Sequence, residues 1–183
     1  MTQLPAFMNP DAISVAFQPV FDGRQDVFFM RAMAVHTDEE GALTIFKMSD
    51  LRDKPELSQR LHEVYLQALL AKLPTLDKHT PCALTLDHVN MPEELQQLMA
   101  DRLSELDGRV VLELDGDVSV GYPVQTTSTI KRFQHTGVPV VMNLTADQQM
   151  EAFAPLELDG LTQGDQLVDW QEKVQEEDDI AVA

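Results

Sequence analysis

The chain has 183 residues, 44% of them apolar, enough for one sizeable domain with a packed core. Lys and Arg number 13 against 31 Asp and Glu, a formal charge of −18 that argues against a nucleic-acid backbone or an anionic membrane as the main partner. Solubility is the ordinary consequence of such charge; its functional counterpart is an acidic docking face for a basic partner protein.

From the start, Met1–Pro10 has neither a basic n-region nor an apolar h-region, and no stretch approaches eighteen apolar residues, so a soluble, cytoplasmic protein is expected. Residues 1–14 read as a loose lead-in. Val15–Phe21 reads as a strand, Asp22–Asp26 as a turn and Val27–Val35 as a second strand, together an N-terminal hairpin. Pro19 removes a ladder donor and favours an edge or strand-end position. Thr37–Asp53 is polar and irregular, with a short strand at Thr44–Phe46.

Pro55–Leu73 is the clearest helix. Leu57, Leu61, Val64, Leu66, Leu69, Leu70 and Leu73 form its stripe, Pro55 suits its first turn and Asp53 is a candidate cap. Cys82–Leu86 reads as a strand. Its cysteine is the only one in the chain, so no internal disulfide can form, no Cys/His ligand spacing exists and a reducing compartment is expected. A small buried hydrophobe accounts for Cys82 better than a nucleophile does. A second helix is expected over Pro92–Leu106, with Leu95, Leu98, Met99 and Leu103 on one face and Gly108 as its stop.

Val110–Asp117 is a strand buried on both faces that carries Glu113 in its middle and closes in Asp115-Gly116-Asp117. A buried carboxylate needs a partner, and in a parallel α/β protein ligands gather at the C-terminal ends of the strands. Thr126–Gln134 follows as a helix, Val138–Leu144 as a strand, Asp147–Phe153 as a short helix and Leu158–Gly164 as a last strand. Val168–Ala183, with Trp170 and Glu176-Glu177-Asp178-Asp179, reads as a fading helix and an acidic tail. After the hairpin, helix and strand alternate, the signature of parallel βα units in an open sheet or a (β/α) barrel. No Gly-rich phosphate loop follows any strand, which weakens a nucleotide-binding Rossmann reading.

Several stretches resemble the EAL domain of cyclic-di-GMP (c-di-GMP) phosphodiesterases. Ala16-Phe17-Gln18-Pro19-Val20-Phe21-Asp22 is similar to the family's opening Phe-Gln-Pro-Ile-Val-Asp strand. Leu112-Glu113-Leu114 falls at its Leu-Glu-Ile/Leu, the segment Ile130–Val141 at its helix, Leu-Gly-Val turn and strand, and Leu158-Asp159-Gly160-Leu161 before its catalytic lysine. The resemblance covers residues 13–168, leaving 169–183 as the tail. It implies an incomplete TIM-type (β/α) barrel with an N-terminal hairpin and roughly the last two βα units missing.

The family's chemistry needs two divalent cations on converging carboxylates and a lysine near the attacking water. In this sequence the glutamate of the Glu-Ala-Leu motif falls at Arg31, followed by Ala32-Met33, and a guanidinium cannot ligate a cation. The motif's arginine becomes Val35. The asparagine ligand falls near Asp87, with Asn90 as an alternative register. The paired aspartates align with Asn143-Leu144, the lysine with Thr162 and the aspartate after it with Gly164. Glu113 stands at a ligand position, and Gln18 and Glu113 are the ligand-binding residues the resemblance implies.

These departures imply a degenerate domain with no catalytic residues, metal or cofactor, and Glu113 is expected to pair with Arg31 from the neighbouring strand end. The expected function is non-enzymatic regulation through an unidentified protein partner in bacterial c-di-GMP, motility or biofilm signalling. A homodimer is also possible through an open barrel edge, unless the segment around Trp170 covers it. Two alternatives stand beside it: a non-hydrolysing c-di-GMP sensor, and an enzyme with unrelated barrel chemistry. For the latter His88, beside Asp87, is the one candidate, although a solvated loop histidine accounts for it better.

Overall fold

The computed structural model describes residues 12–46, 54–145, 153 and 155–168. Eight strands are found among them: β1 (Ile13–Phe21), β2 (Val27–Thr37), β3 (Leu43–Ile45), β4 (Cys82–Thr85), β5 (Val110–Asp115), β6 (Val140–Leu144), β7 (Gly160–Gln163) and β8 (Gln166–Val168). The helices are α1 (Pro55–Lys72), α2 (Glu93–Ser104), α3 (Gly116–Gly121) and α4 (Pro123–His135), with a 3-10 turn over Leu73–Thr75.

The sheet closes on itself in the order β1-β8-β7-β6-β5-β4-β2, with β1 paired to β2 and β3 attached outside the ring on β2. β2, β4, β5, β6 and β7 run parallel in succession. β1 is antiparallel to β2, and β8 is antiparallel to β7. The result is an incomplete TIM-type barrel.

The pleat divides the core. Val110, Leu112 and Leu114 of β5 belong to the large outer cluster with Leu61, Tyr65 and Leu69 of α1, Met99 and Leu103 of α2, and Ile130 and Phe133 of α4. Val111 belongs to a second cluster with Val20, Phe29, Ala83 and Val141. No helix contributes to this second cluster, so it is the apolar plug inside the barrel. Both faces of β5 are therefore buried, and its run reads as continuously hydrophobic for that reason.

The hairpin runs in register from Ile13↔His36 to Phe21↔Val27, with one irregularity at Val20/Phe21. Residues 13 and 14 are thus strand, not lead-in. The open barrel edge expected from the sequence is not there. Gly164-Asp165 turns the chain, β8 folds back on β7, and Phe21 pairs with Gln166 while its N–H donates to Asp165 O at 2.9 Å. That seam is one residue pair wide, so Pro19 is never asked for a second ladder bond.

Other boundaries move for local reasons. α1 starts at Pro55 as expected, but Asp53 lies outside the described residues. Leu98 of α2 is 57% exposed, while Gln96 is buried in its place as a hydrogen-bonding residue. Asp115-Gly116-Asp117 does not simply close β5: the Asp115 carboxylate caps α3 by accepting from the N–H of Asp117 at 2.9 Å. α4 begins three residues before Thr126, at Pro123 in its first turn. The expected helix over 147–153 falls outside the described residues except for Phe153, as do Trp170 and the acidic tail.

Candidate functional site

Above the apolar plug the barrel interior turns polar. Gln18 (β1), Arg31 (β2), Thr85 (β4), Glu113 (β5), Asn143 (β6) and Thr162 (β7) converge there. Strand register explains the convergence: Gln18 pairs with Arg31, Thr85 with Glu113, and Asn143 with Thr162.

Arg31 is the hub. Its Nε and Nη2 donate to Oε2 and Oε1 of Glu113, each at 2.7 Å, a bidentate pair with both residues buried. Nη1 donates to the Gly164 carbonyl at 2.7 Å and reaches Gln18 Oε1 at 3.4 Å. Thr85 donates to Glu113 Oε2 at 3.3 Å, and the Thr162 hydroxyl lies 3.2 Å from Glu113 Oε1 and 3.3 Å from Asn143 Oδ1. Arg31 does not reach Glu113 from a neighbouring strand end. It sits mid-strand in β2, and β4 lies between β2 and β5, so the long side chain crosses the barrel.

Asp87 stands just beyond the end of β4 and is 2% exposed. Its Oδ2 accepts from Asn90 Nδ2 at 2.8 Å, while its Oδ1 is buried without a hydrogen-bond partner among the described residues. Asp87, Asp115, Glu113 and Arg31 share the wall of a cavity of about 230 Å³ with apolar residues such as Met33 and Phe46.

Val35 is buried in β2, and Leu144 packs in the outer core. His88 is not a solvated loop residue. It is 2% exposed, its Nε2 lies 2.8 Å from Thr126 Oγ1 on α4, and burial pushes its pKa down to about 4 against the smaller opposing pull of Asp87 and Asp115. It is not among the residues lining the cavity.

His62 on α1 was not singled out by the sequence pattern. Its Nε2 accepts from the Asp87 N–H at 3.0 Å, so its Nδ1 carries the proton and donates to Ser58 O at 2.7 Å. Burial lowers its pKa, and this neutral tautomer ties α1 to the β4 end. Thr85 was also missed, although its two-residue offset from Asp87 places it on the inward face.

These residues do not fit a pair of divalent cations. Both oxygens of Glu113 are held by Arg31, and no three His, Cys, Asp or Glu residues among those described converge on a metal-sized site.

No protein-family model matches the chain, and no curated protein matches it in sequence. Solved structures do match in shape. The Vibrio cholerae LapD S helix–GGDEF–EAL protein bound to c-di-GMP superposes with a TM-score of 0.70 at 10% identity, over 85% of this chain and 40% of that one. The fold is that of EAL domains. Bacillus subtilis YkuI, a protein with an EAL domain in complex with c-di-GMP and calcium, gives 0.66 at 16% identity over 84% and 41%. The Pseudomonas aeruginosa FimX EAL domain bound to c-di-GMP gives 0.61 at 13% over 84% and 66%. This EAL-like chain therefore spans about two fifths of the LapD and YkuI chains. No helix among the described residues is long and apolar enough to cross a membrane.

Proposed function

We propose that this EAL-like chain is a non-enzymatic regulator that acts by binding another protein, in bacterial signalling of the c-di-GMP kind. The observation that carries the reading is the bidentate grip of Arg31 on Glu113. It puts an internal cation where a metal-dependent phosphodiesterase would need an open carboxylate, and no three acids or histidines among the described residues converge on a metal-sized site. The three solved neighbours named above are all c-di-GMP complexes, which supports the signalling context. The charge of −18 suits a basic protein partner. Closure of the barrel by β8 removes the open seam as a route to a homodimer, so a partner would dock on the outer surface instead.

A c-di-GMP sensor is the weaker reading. The cavity wall carries Asp87, Glu113 and Asp115 against one guanidinium that is already engaged, a poor host for two phosphates. An enzyme with other barrel chemistry loses its candidate with His88 held against α4.

The test is incubation of the purified chain with c-di-GMP and Mn²⁺ or Mg²⁺, alongside calorimetric titration. The expected result is no linear dinucleotide product and no binding heat, together with a stoichiometric protein adduct on crosslinking in the source cell. Hydrolysis overturns the non-enzymatic reading. A saturable isotherm without hydrolysis moves the assignment to a sensor.

A further inference from the structure

One strand of the sheet has an unused edge. β3 is last in the sheet order, attached to β2, and no strand among the described residues pairs with its other side. Its register with β2 settles which backbone groups face outward. The Phe46 N–H donates to Ala34 O at 3.2 Å and the Asp38 N–H to Ala42 O at 3.0 Å, and midway between these bonds Thr44 stands opposite His36. Hydrogen-bonded pairs alternate along an antiparallel ladder, so Thr44 turns its polar backbone to β2 while Leu43 and Ile45 turn theirs away from it. Each of the two offers one N–H and one C=O to a further strand.

The side chains on this edge are bare as well. Leu43 is 69% exposed and Ile45 58%, and two residues apart in a strand they share one face. Edge strands are ordinarily blunted by lysine, proline, a bulge or a covering element, and β3 (Leu-Thr-Ile) carries neither lysine nor proline. Charge lies beside it instead. Asp38, Glu39 and Glu40 of the β2–β3 turn are exposed, and residues 36–46 contain no Lys or Arg. The Asp38 carboxylate accepts from the N–H groups of Glu40 and Ala42 at 3.0 and 2.8 Å, which fixes this acidic turn at the start of the strand.

We propose that β3 takes up an extended basic segment of a partner protein as an added strand. Two alternate apolar residues of that segment would lie beside Leu43 and Ile45 and complete the ladder with their own N–H and C=O groups. Lys or Arg beyond them would meet Glu39 and Glu40. A second copy of this chain could offer the same edge, but it would bring together two chains that each carry a charge of −18. The proposal rests on the regulatory reading for the existence of a protein partner, and adds where that partner docks and through what kind of segment. An adduct in the source cell that Ile45→Pro leaves intact would keep the regulatory reading and overturn this surface alone.

The probe is a peptide blocked at both ends, Lys-Arg-Thr-Val-Thr-Val-Thr-Arg-Lys, titrated into the full chain and followed at the backbone amides by NMR. The Leu43 and Ile45 amides are expected to shift and to exchange more slowly. The same peptide N-methylated at both valines, which cannot donate into the ladder, is expected to bind more weakly by about tenfold or more. Its counterpart with glutamate in place of every Lys and Arg is expected not to bind. Ile45→Pro removes an outward N–H and no bond to β2, and is expected to weaken the basic peptide likewise. E39K/E40K, which leaves Asp38 to hold the turn, is expected to weaken it and to flatten its salt dependence. Equal affinity for the methylated or the glutamate peptide, no binding of any, or shifts confined to residues outside β3 overturns the proposal. So does a concentration-dependent dimer that I45P abolishes, since it gives the edge to a second copy. Should I45P fail to fold, the peptide series on the unaltered chain still decides.

Discussion

Arg31 and Gly164 are 133 residues apart, yet the Arg31 Nη1 donates to the Gly164 carbonyl at 2.7 Å while the other two nitrogens hold Glu113. One guanidinium thus ties β2, β5 and the β7–β8 turn around the barrel interior. Removing it as Arg31→Met leaves the Glu113 carboxylate buried, with only the Thr85 and Thr162 hydroxyls near it. The expected loss is about 3–5 kcal/mol in urea unfolding. The double variant R31M/E113L replaces both charges by apolar groups and is expected to recover most of it. A coupling energy near zero in the double-mutant cycle would show that the pair does not hold the fold.

Stability should fall with acid through a histidine. Burial disfavours the charged form of His88 and pushes its pKa down from the ordinary 6.5 to about 4 in the folded chain. Below pH 6.5 the unfolded chain binds a proton that the folded chain refuses, so stability drops as pH falls from about 6.5 to about 4 and levels off below that. Between pH 7 and 5 this one group is expected to remove about 2 kcal/mol. His62 is shifted in the same direction and adds to the slope. His88→Gln, which can still meet Thr126, is expected to flatten the dependence. An unchanged slope in the variant would assign the acid sensitivity elsewhere.

The sequence made the hairpin, α1, α2 and the succession of βα units readable because each carries a strong local signal. The periodicity of Leu57, Leu61 and Leu69 names a helix, and the run Val110–Leu114 names a doubly buried strand. It also placed Arg31 and Glu113 together, since a buried acid needs a cation and the resemblance put an arginine opposite. What stayed hidden depended on tertiary context. His88 sits beside an acid in a loop, and only α4 packing over it takes it out of water. Leu98 fits an amphipathic stripe, but Gln96 holds the buried position because Arg132 and Thr129 of α4 bond its amide oxygen. β8 does carry a local signal, since Gly164-Asp165 is a two-residue hairpin loop between short strands.

Cys82 is expected to be inert in the folded chain. Its side chain is fully buried, and burial pushes its pKa up to about 12, so almost no thiolate exists at pH 8. Labelling by Ellman's reagent should be slower than in urea-unfolded protein by a factor of about a thousand or more, set by the opening equilibrium of β4. Rapid labelling at low reagent concentration would mean that β4 opens locally.

The barrel seam offers the last prediction. Gly164 holds φ = +62°, and a Cβ there would meet nothing within 4 Å, so any penalty for a side chain is conformational and not steric. A β-branched residue resists that left-handed conformation, whereas asparagine tolerates it. Gly164→Val is expected to cost about 1–2 kcal/mol and Gly164→Asn much less. The strain falls next to the single pair that closes the ring, where the Phe21 N–H meets Asp165 O at 2.9 Å. Hydrogen exchange at the Phe21 amide should therefore accelerate in G164V by more than at Leu112, whose N–H bonds Pro139 O deep in the parallel sheet. Equal acceleration at both sites would mean that the seam opens only when the whole barrel unfolds.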